Sequence, residues 1–379
     1  MKNKNEYWQN YLSCILDNVQ SRFYIKKEGE TKIEVRVNEN ESDIKLLLNG
    51  VYAQLREKEV YNQGLFGFGI TDGATPNAFN WGTDEVFNKL GAGRLSSSDG
   101  GVVTYRWKRC YEIISRANYL LACMDLVDLS EEAKAKYSGE THFLRGLAYS
   151  VLAETYGGVP IILTNISTEE ARSLKRASLE ETWQQALDDY EVAITNLGVD
   201  APEPGRATKG AALGMKMRAY LYQGKYKEVL SCVEQIDALK KYGLFHSYEG
   251  LFDPANENNK EVLFDIQYIE GENSQGSYID QYCGTGTGSW TRGSRYVPTD
   301  DLVAAYETID GSPVDPENPY ENRDPRLGFT AVLPGSYFLG YRFPNYLYPG
   351  GAFNHAGNRL KHLSTRKYRI QDESKLPPS

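Results

Sequence analysis

Apolar residues recur at helical spacing through much of the first 240 positions of this chain. In "ESDIKLLLNGVYAQLRE" they share one face of a predicted helix, with Ser42 or Asp43 as its N-cap: Ile44, Leu47, Leu48, Val51 and Leu55. From about residue 102 to 240, one amphipathic segment follows another. The pattern predicts a helical region over residues 41–240, preceded by an extended lead-in over 1–40.

Local signals indicate where several of these helices begin and end. Ser178 and Glu181 match a capping box, while Gly157 and Pro160 end the preceding helix. A turn at residues 223–225 separates two segments that contain small residues where helices must approach closely: Ala211, Ala212, Gly214 and Ala219. This arrangement resembles a tetratricopeptide helical hairpin. Such hairpins stack because a single one cannot bury its apolar face.

The pattern changes after residue 240, where Gly, Asn, Pro and Tyr become frequent. The stretch "EVLFDIQY" (261–268) is the one clear predicted strand, and helical spacing returns only near "TDDLVAAYE". We therefore expect a mainly α fold. In this predicted fold, tetratricopeptide-like hairpins form a superhelical scaffold, and a loop-rich region over 241–379 carries a few short strands.

Composition narrows the possible functions. The formal net charge is −9 and no block of Lys and Arg is present, so nucleic acid is not an expected partner. The sequence contains no run of about 18 apolar residues, the length that would span a bilayer as a helix. The 28 tyrosines stand out beside 13 phenylalanines and 5 tryptophans. They could fill the edges of a helical core or line a carbohydrate or peptide site.

Neither the cysteines nor the histidines indicate a metal or redox site. The five cysteines lack C-x-x-C and C-x-x-H spacing, and the four histidines stand apart: Cys14, Cys110, Cys123, Cys232, Cys283, His142, His246, His355 and His362. An odd number of cysteines also argues against a disulfide framework. No cofactor is predicted.

Pairs of carboxylates invite a glycosidase interpretation, which their spacing does not favour. Glycoside hydrolysis needs two carboxylates about 5–10 Å apart across the substrate, whereas adjacent residues on a helix point in different directions. Helix caps and solvated faces explain the pairs better: Glu180/Glu181, Asp188/Asp189 and Asp300/Asp301. No nucleophile elbow or HExxH motif is present either.

Six segments, taken in order, resemble the RagB/SusD family of Bacteroidetes outer-membrane nutrient-binding lipoproteins. They cover most of residues 40–330: "RWKRCYEIISRAN", "GETHFLRGLAYSVLAETYGGVPII", "GRATKGAALGMKMRAYLYQGKY", "LFDPANENNKEVLFDIQY", "VPTDDLVAAYETIDGSP" and "ENRDPRL". The similarity of any one segment is weak evidence, but all six occur in the same order as in the family, which argues against an accidental similarity.

The resemblance implies a tetratricopeptide-like fold and a binding protein rather than an enzyme. Members of the family are tethered to the outer face of the outer membrane by a lipidated N-terminal Cys. They sit as lids over a SusC-like TonB-dependent transporter and capture oligosaccharides, or in some cases peptides, for import. The expected partners are an oligosaccharide and this transporter, with a lipid anchor as the only membrane contact.

Two features depart from the family pattern. Cys14 is the candidate lipidation site, but Glu6, Gln9 and Asn10 interrupt the apolar core of a signal sequence. The sequence also stops near the point where related proteins continue into a further helical stretch. We therefore expect the region 241–379 to be incomplete.

Two loops combine aromatic rings, which stack on pyranose faces, with polar side chains that reach hydroxyl groups. The predicted ligand-binding residues are Asp72, Asn77, Phe79, Asn80 and Trp81 of "TDGATPNAFNWGTDE", and Trp290, Arg292, Arg295 and Tyr296 of "GSWTRGSRYVP". A packing role for Trp81 and Trp290 is equally open. Trp107 and Trp183 lie on helical stripes and are predicted core residues.

The segment "ENRDPRLGFT" places Arg323, Asp324 and Arg326 around Pro325. The proline favours an extended Asp324, whose carboxylate can then accept charge-assisted hydrogen bonds from a guanidinium or from the backbone. We interpret this segment as a structural clasp rather than a ligand contact.

A tetratricopeptide-type adaptor that binds peptide or protein partners is the alternative to glycan binding. An adaptor would continue its regular repeat to a polar capping helix at the C-terminus. This chain instead devotes residues 241–379 to loops, which favours ligand capture.

Overall fold

The computed structural model describes residues 40–56, 72–80, 89–96, 98–268, 296–333, 336–338, 341–342 and 364–365. The chain divides into two compact units. The first takes segments 1–60, 103–244 and 260–268, and the second takes 61–102, 245–259 and 269–379. Each unit therefore combines pieces that lie far apart in sequence, and the boundary expected between 240 and 241 stays a prediction.

Helices build the first unit. They are α1 (Glu41–Tyr52), α2 (Val102–Met124), α3 (Glu131–Tyr156), α4 (Thr168–Ser173), α5 (Leu179–Asn196), α6 (Lys209–Tyr222) and α7 (Tyr226–Ala238). A 3-10 turn, Ala53–Arg56, follows α1 directly. The prediction of a mainly α fold is confirmed.

Side-chain caps mark where the helices begin. In α5 the predicted capping box is present: the Glu181 N–H donates to Ser178 Oγ (3.1 Å) and the Ser178 N–H donates to Glu181 Oε2 (2.7 Å). The predicted cap of α1 is wrong. Asn40, rather than Ser42 or Asp43, caps this helix, and its Oδ1 accepts the Asp43 N–H at 3.2 Å. Asn is as good a cap as Ser or Asp, so the helix begins earlier than predicted.

Glycines end two of the helices as the sequence indicates. Gly157 follows α3 with φ 74°, and its N–H donates to Ala153 O at 3.1 Å. Gly224 has φ 68° in the turn between α6 and α7, so the predicted helical hairpin is confirmed. A left-handed conformation of this kind costs glycine little because it has no Cβ.

The core of the first unit lies between α3 and α5, which pack along each other, with α1 against α3 and α6 against α5. Gly146 allows α3 and α5 to approach closely, because a Cβ there would lie 2.9 Å from the Tyr190 ring. The predicted core residues Trp107 and Trp183 are both buried, which confirms their packing role.

A buried ion pair joins these helices. The Arg145 guanidinium on α3 donates from Nη2 to Asp189 Oδ1 on α5 at 2.7 Å, and from Nη1 to Asn118 Oδ1 on α2 at 2.8 Å. The Asn118 amide donates in turn to the Ile162 carbonyl at 2.9 Å. Asp189 is 1% exposed, so its predicted place on a solvated face is wrong. Burial is possible because Arg145 satisfies the carboxylate with several hydrogen bonds.

The segment 261–268, predicted as a strand, forms no strand with any described residue. It runs alongside the helices of the first unit instead. Phe264 meets Phe143 edge-on with ring centroids 4.9 Å apart, and a Cβ on Gly214 would lie 2.7 Å from Leu263. Two consecutive apolar residues of this segment therefore pack against helices, without the backbone ladder that defines a strand.

Short elements and long connections make up the described part of the second unit. They are β1 (Ala78–Asn80), β2 (Tyr296–Pro298), α8 (Asp300–Ala305), α9 (Pro325–Thr330), β3 (Ala331–Val332), β4 (Tyr337–Phe338), β5 (Tyr341–Arg342) and β6 (Ser364–Thr365). The strands form three antiparallel pairs, β1 with β2, β3 with β6, and β4 with β5. Helix α8 confirms the helical spacing noted near "TDDLVAAYE".

The Arg145–Asp189 pair gives a test of the scaffold. Replacing Asp189 with Ala should lower the free energy of unfolding by about 3–5 kcal/mol, because Arg145 keeps a buried charge without its counter-ion. The neighbouring Asp188→Ala is the matched control. Asp188 is exposed and accepts only from Gln184, so its loss should cost less than about 0.5 kcal/mol. Urea unfolding followed by circular dichroism measures both, and equal losses would contradict a structural role for the buried pair.

Candidate functional site

The two loops predicted to bind ligand meet in the pair formed by β1 and β2. Strand β1 comes from the first loop and β2 from the second, and they run antiparallel in the register Ala78↔Pro298, Phe79↔Val297 and Asn80↔Tyr296. Backbone hydrogen bonds between strands fix register without help from the side chains. Segments more than 200 residues apart in sequence thus share one short ribbon.

Thr299 fastens this ribbon to the helix that follows it. Its N–H donates to Asn77 O at 3.1 Å, and its hydroxyl donates to the Pro76 carbonyl, 223 residues away in sequence. The same hydroxyl accepts the Leu302 N–H at 3.1 Å as the N-cap of α8. One side chain therefore ties the start of β1 to the start of α8.

Arg323 holds the other end of α8. Its guanidinium donates to the carbonyl oxygens of Val303 (2.5 Å), Tyr306 (2.6 Å) and Pro319 (2.6 Å). The first two carbonyls lie at the C-terminal end of α8, where helix carbonyls need partners from outside the helix, although Val303 O also accepts the Tyr306 N–H at 3.3 Å. Arg323 is 7% exposed, so the guanidinium acts inside the unit and its contacts are structural.

Asp324 and Arg326 complete the predicted clasp. Asp324 caps α9 by accepting the Arg326 N–H at 2.9 Å, and the Arg326 Nε donates to the same carboxylate at 3.0 Å. The Arg326 side chain, followed by its backbone N–H, lowers the pKa of the Asp324 carboxyl below its ordinary value. Asp324 has φ −44° and ψ 123°, so it lies outside the α region, which a residue before proline avoids. These contacts confirm the clasp interpretation.

The structure describes only some of the predicted ligand-binding residues. Asp72 lies in a turn, where its carbonyl accepts the Thr75 N–H at 3.0 Å, and Asn77 is exposed just before β1. Phe79, Asn80 and Tyr296 lie within the paired strands. Four more lie outside the described residues, as does the candidate lipidation site: Trp81, Trp290, Arg292, Arg295 and Cys14. Their roles stay predictions.

Sequence reasoning missed Thr299. Its place before "DDLV" is a recognisable N-cap signal, since Thr followed by acidic residues often starts a helix. No sequence signal predicts its bond to Pro76, because that contact exists only once the two loops have come together.

The carboxylate pairs proposed as caps or solvated residues can now be placed. Glu181 belongs to the capping box of α5, and Asp300 and Asp301 occupy the first turn of α8, where a negative charge is favourable. Asp189 is the exception, because it is buried against Arg145. Among the described residues, these four carboxylates thus serve as a cap, as first-turn charges or as the partner of a buried arginine.

Metal ligands and membrane spans were also sought within the described ranges. No group of three or more His, Cys, Asp or Glu side chains there could hold a metal ion. No helix among the same residues is both long and apolar enough to cross a bilayer. Cys110, Cys123 and Cys232 are buried free thiols.

Family comparisons decide the identity of the fold. A SusD-like family model, described as "Starch-binding associating with outer membrane", matches residues 24–221, and the SusD family model matches residues 260–375. The first match alone covers more than half of the chain. The chain belongs to the SusD-like family. The family resemblance noted in the sequence is thereby confirmed.

Relatives of this SusD-like chain agree with that assignment. SusD-like protein P25 of Formosa agariphila is 26% identical over 283 residues, which are 69% of this chain and 52% of the relative. A SusD-like carbohydrate-binding protein of Bacteroides fragilis is 28% identical with a TM-score of 0.71, covering 80% of this chain and 62% of that one. A laminarin-binding SusD-like protein, 22% identical, has a TM-score of 0.56 over 60% of this chain and 51% of its own. The SusD-like chain thus spans about half the length of its curated relative.

Thr299 provides a test of the strand pair. Thr299→Val keeps the shape of the side chain but removes the hydroxyl, which leaves the Leu302 N–H and the Pro76 carbonyl without this partner. We expect a loss of about 1–2 kcal/mol in the second unit and faster amide hydrogen exchange in segments 76–80 and 296–302. Hydrogen exchange followed by mass spectrometry measures the local effect.

Thr195→Val is the matched control for this variant. The Thr195 hydroxyl is exposed and bonds only to the Glu191 carbonyl of its own helix, at 2.9 Å, so exchange in the second unit should not change. Unchanged exchange in Thr299→Val as well would contradict the role assigned to Thr299.

Proposed function

We propose that this protein binds oligosaccharides, without transforming them, on the loops that carry β1 and β2. The meeting of these two loops is the observation that supports the proposal. The sequence continues from Asn80 directly into Trp81, and Arg295 directly precedes Tyr296. Asn80 and Tyr296 are register partners, so both predicted groups of ligand-binding residues start from one ribbon.

The residue types on these loops suit a sugar. Pyranose rings offer flat C–H faces to Trp and Tyr, and their hydroxyl groups pair with amides, carboxylates and guanidinium groups. Asp72 and Asn77 are exposed beside the ribbon and provide a carboxylate and an amide. Because such sites are wet and open, we expect a Kd between micromolar and millimolar, or about 4–8 kcal/mol of binding free energy.

A non-catalytic role accords with the surroundings of the carboxylates. A glycosidase needs two opposed carboxylates whose pKa values differ, one raised and one not. Among the described residues, the adjacent pairs serve instead as caps, as first-turn charges of a helix, or as the partner of Arg145. Binding without hydrolysis is therefore the function we propose.

The family description and the relatives' names support the biological setting. The matching family is described as starch-binding and associated with the outer membrane, and two similar structures are named for carbohydrate and laminarin binding. We infer that this protein acts at the outer-membrane surface. There it would deliver captured glycan to a SusC-like TonB-dependent transporter.

Calorimetry tests the proposed site. The protein is titrated with starch-like, laminarin-derived, plant and host oligosaccharides, alongside Trp81→Ala and Trp290→Ala. We expect saturable binding to at least one glycan, weakened about tenfold in each variant, because an aromatic ring that stacks on sugar contributes on the order of 1 kcal/mol. Tyr226→Ala is the control, since Tyr226 is 67% exposed on α7, outside the second unit.

The possible outcomes separate the competing functions. If both Trp variants bind the glycan as tightly as the unmodified protein, the binding site lies elsewhere than on these loops. A folded protein that binds none of the oligosaccharides but does bind peptides would favour the adaptor alternative.

A further inference from the structure

The first unit contains a pocket that the proposed function does not use. We name it the 203–206 pocket after the loop between α5 and α6 that forms one wall. Its other walls come from the end of α1 with the following 3-10 turn, and from the extended segment 264–267. Its volume is about 280 Å³, just below the range of about 300–1,000 Å³ typical of small-molecule sites. A ligand with a single small ring would therefore fit this pocket better than a ligand of several linked rings.

Apolar groups line part of this pocket. Tyr52, Phe264 and Ile266 contribute, and Leu55 lies buried at its edge. Two rings are held in place: Phe264 packs edge-on against Phe143, and the Tyr52 hydroxyl donates to Glu140 at 2.7 Å. Fixed rings of this kind offer a surface to the C–H groups of a ligand at little cost in side-chain entropy.

Four charged side chains line the pocket, Arg56, Glu203, Arg206 and Asp265, and each of them already has an interaction within the protein. The Arg206 guanidinium contacts the Glu140 carboxylate at 3.4 Å, and Glu203 pairs with Lys45 at 2.9 Å. The Asp265 carboxylate accepts from the Gln267 amide at 2.6 Å. An ionised ligand would have to break one of these pairs to gain a counter-ion, whereas a neutral hydroxyl group can share the lone pairs and N–H groups that the pairs leave over. The electrostatics therefore favour a neutral ligand.

The polar groups around the pocket match hydroxyl groups in particular. Asn49 and Gln267 contribute amides, and Glu203 and Asp265 contribute carboxylate oxygens. Arg206 donates from Nη2 to Asn49 Oδ1 at 2.5 Å, which leaves the Asn49 amide N–H groups for a ligand. A hydroxyl both donates and accepts, so a polyol can pair with each of these groups. Together with the apolar surface, they form the mixed lining expected for a sugar ring.

The backbone also shapes the pocket. Gly205 has φ 79°, and a Cβ there would lie 2.7 Å from Gln267 Cγ. The loop and the extended segment therefore touch at a position that suits glycine. This contact fixes one corner of the pocket before any ligand arrives.

We propose that the 203–206 pocket binds one neutral sugar ring, or a polyol of similar size, as a second binding point on the first unit. The proposal rests on the proposed function for its ligand class, but not on the residues of the β1–β2 loops. A single ring makes few contacts, so the expected Kd is on the order of 1 mM.

Ligand-observed NMR with the methyl glycosides of glucose, mannose and galactose tests this pocket. Saturation transfer to at least one glycoside should follow a binding curve in the unmodified protein. Gln267→Ala should weaken that binding about tenfold, because it removes an amide that faces the ligand. Ala53→Leu should also abolish it by filling the pocket, without removing any polar group.

Gln184→Ala is the matched control. Gln184 donates to Asp188 at 2.7 Å, much as Gln267 donates to Asp265 at 2.6 Å, but it lies on the exposed side of α5. Glycoside binding should be unchanged in this variant. Equal weakening in Gln184→Ala and Gln267→Ala would overturn the assignment to the pocket.

Further measurements separate this proposal from the proposed function. Glycoside binding that survives Trp81→Ala and Trp290→Ala but is lost in Gln267→Ala supports the pocket, whatever the oligosaccharide titrations show. Binding that is lost in the Trp variants and unaffected by Gln267→Ala overturns it while leaving the proposed function standing. The neutral-ligand inference would be overturned if glucuronate or glucosamine bound several-fold more tightly than the neutral glycosides.

Discussion

The helical scaffold depends on one buried guanidinium. Arg145 reaches Asp189 on α5 and Asn118 on α2 from its own position on α3, and Asn118 extends the network to the carbonyl of Ile162. Apolar packing among helices tolerates small shifts, but a buried charge does not, because losing a partner leaves an uncompensated ion in a medium of low dielectric. The network therefore fixes the relative positions of three helices and of the connection after α3. Helices α1 and α6 pack in turn against α3 and α5, which belong to this network.

The second unit achieves order by different means. Its described strands are two or three residues long and occur in pairs, too short to be stable alone. Side chains that bond to distant backbone groups compensate: Thr299 joins Pro76 to α8, and Arg323 satisfies carbonyls at the end of the same helix. Within the "ENRDPRLGFT" clasp, Arg323 thus helps to hold the C-terminal end of α8 in place. Binding loops need such support because their own hydrogen bonds are few.

The two proposed sugar sites illustrate two ways of presenting polar groups to a neutral ligand. On the β1–β2 loops, exposed Asp72 and Asn77 accompany aromatic residues on segments that a short ribbon joins. In the 203–206 pocket, the charged side chains already have interactions within the protein, and the segment 264–267, which pairs with no described strand, forms one wall. In both cases fixed backbone geometry limits the entropy that binding would cost.

The sequence by itself determined the helices, the capping box of α5, the glycine turns and the clasp. These features depend on neighbours within a few residues, so their signals are local. Only the tertiary structure decided that Asp189 is buried, that 261–268 pairs with no described strand, and that the two loops with predicted ligand-binding residues share a ribbon. Each of those outcomes depends on a partner far along the chain. Asp189 needs Arg145, and Phe264 packs on Phe143. Thr299 bonds to Pro76, 223 residues away. A short apolar run such as 261–268 does not reveal whether it will pair in a sheet or pack as an irregular segment against helices, because both arrangements bury its side chains.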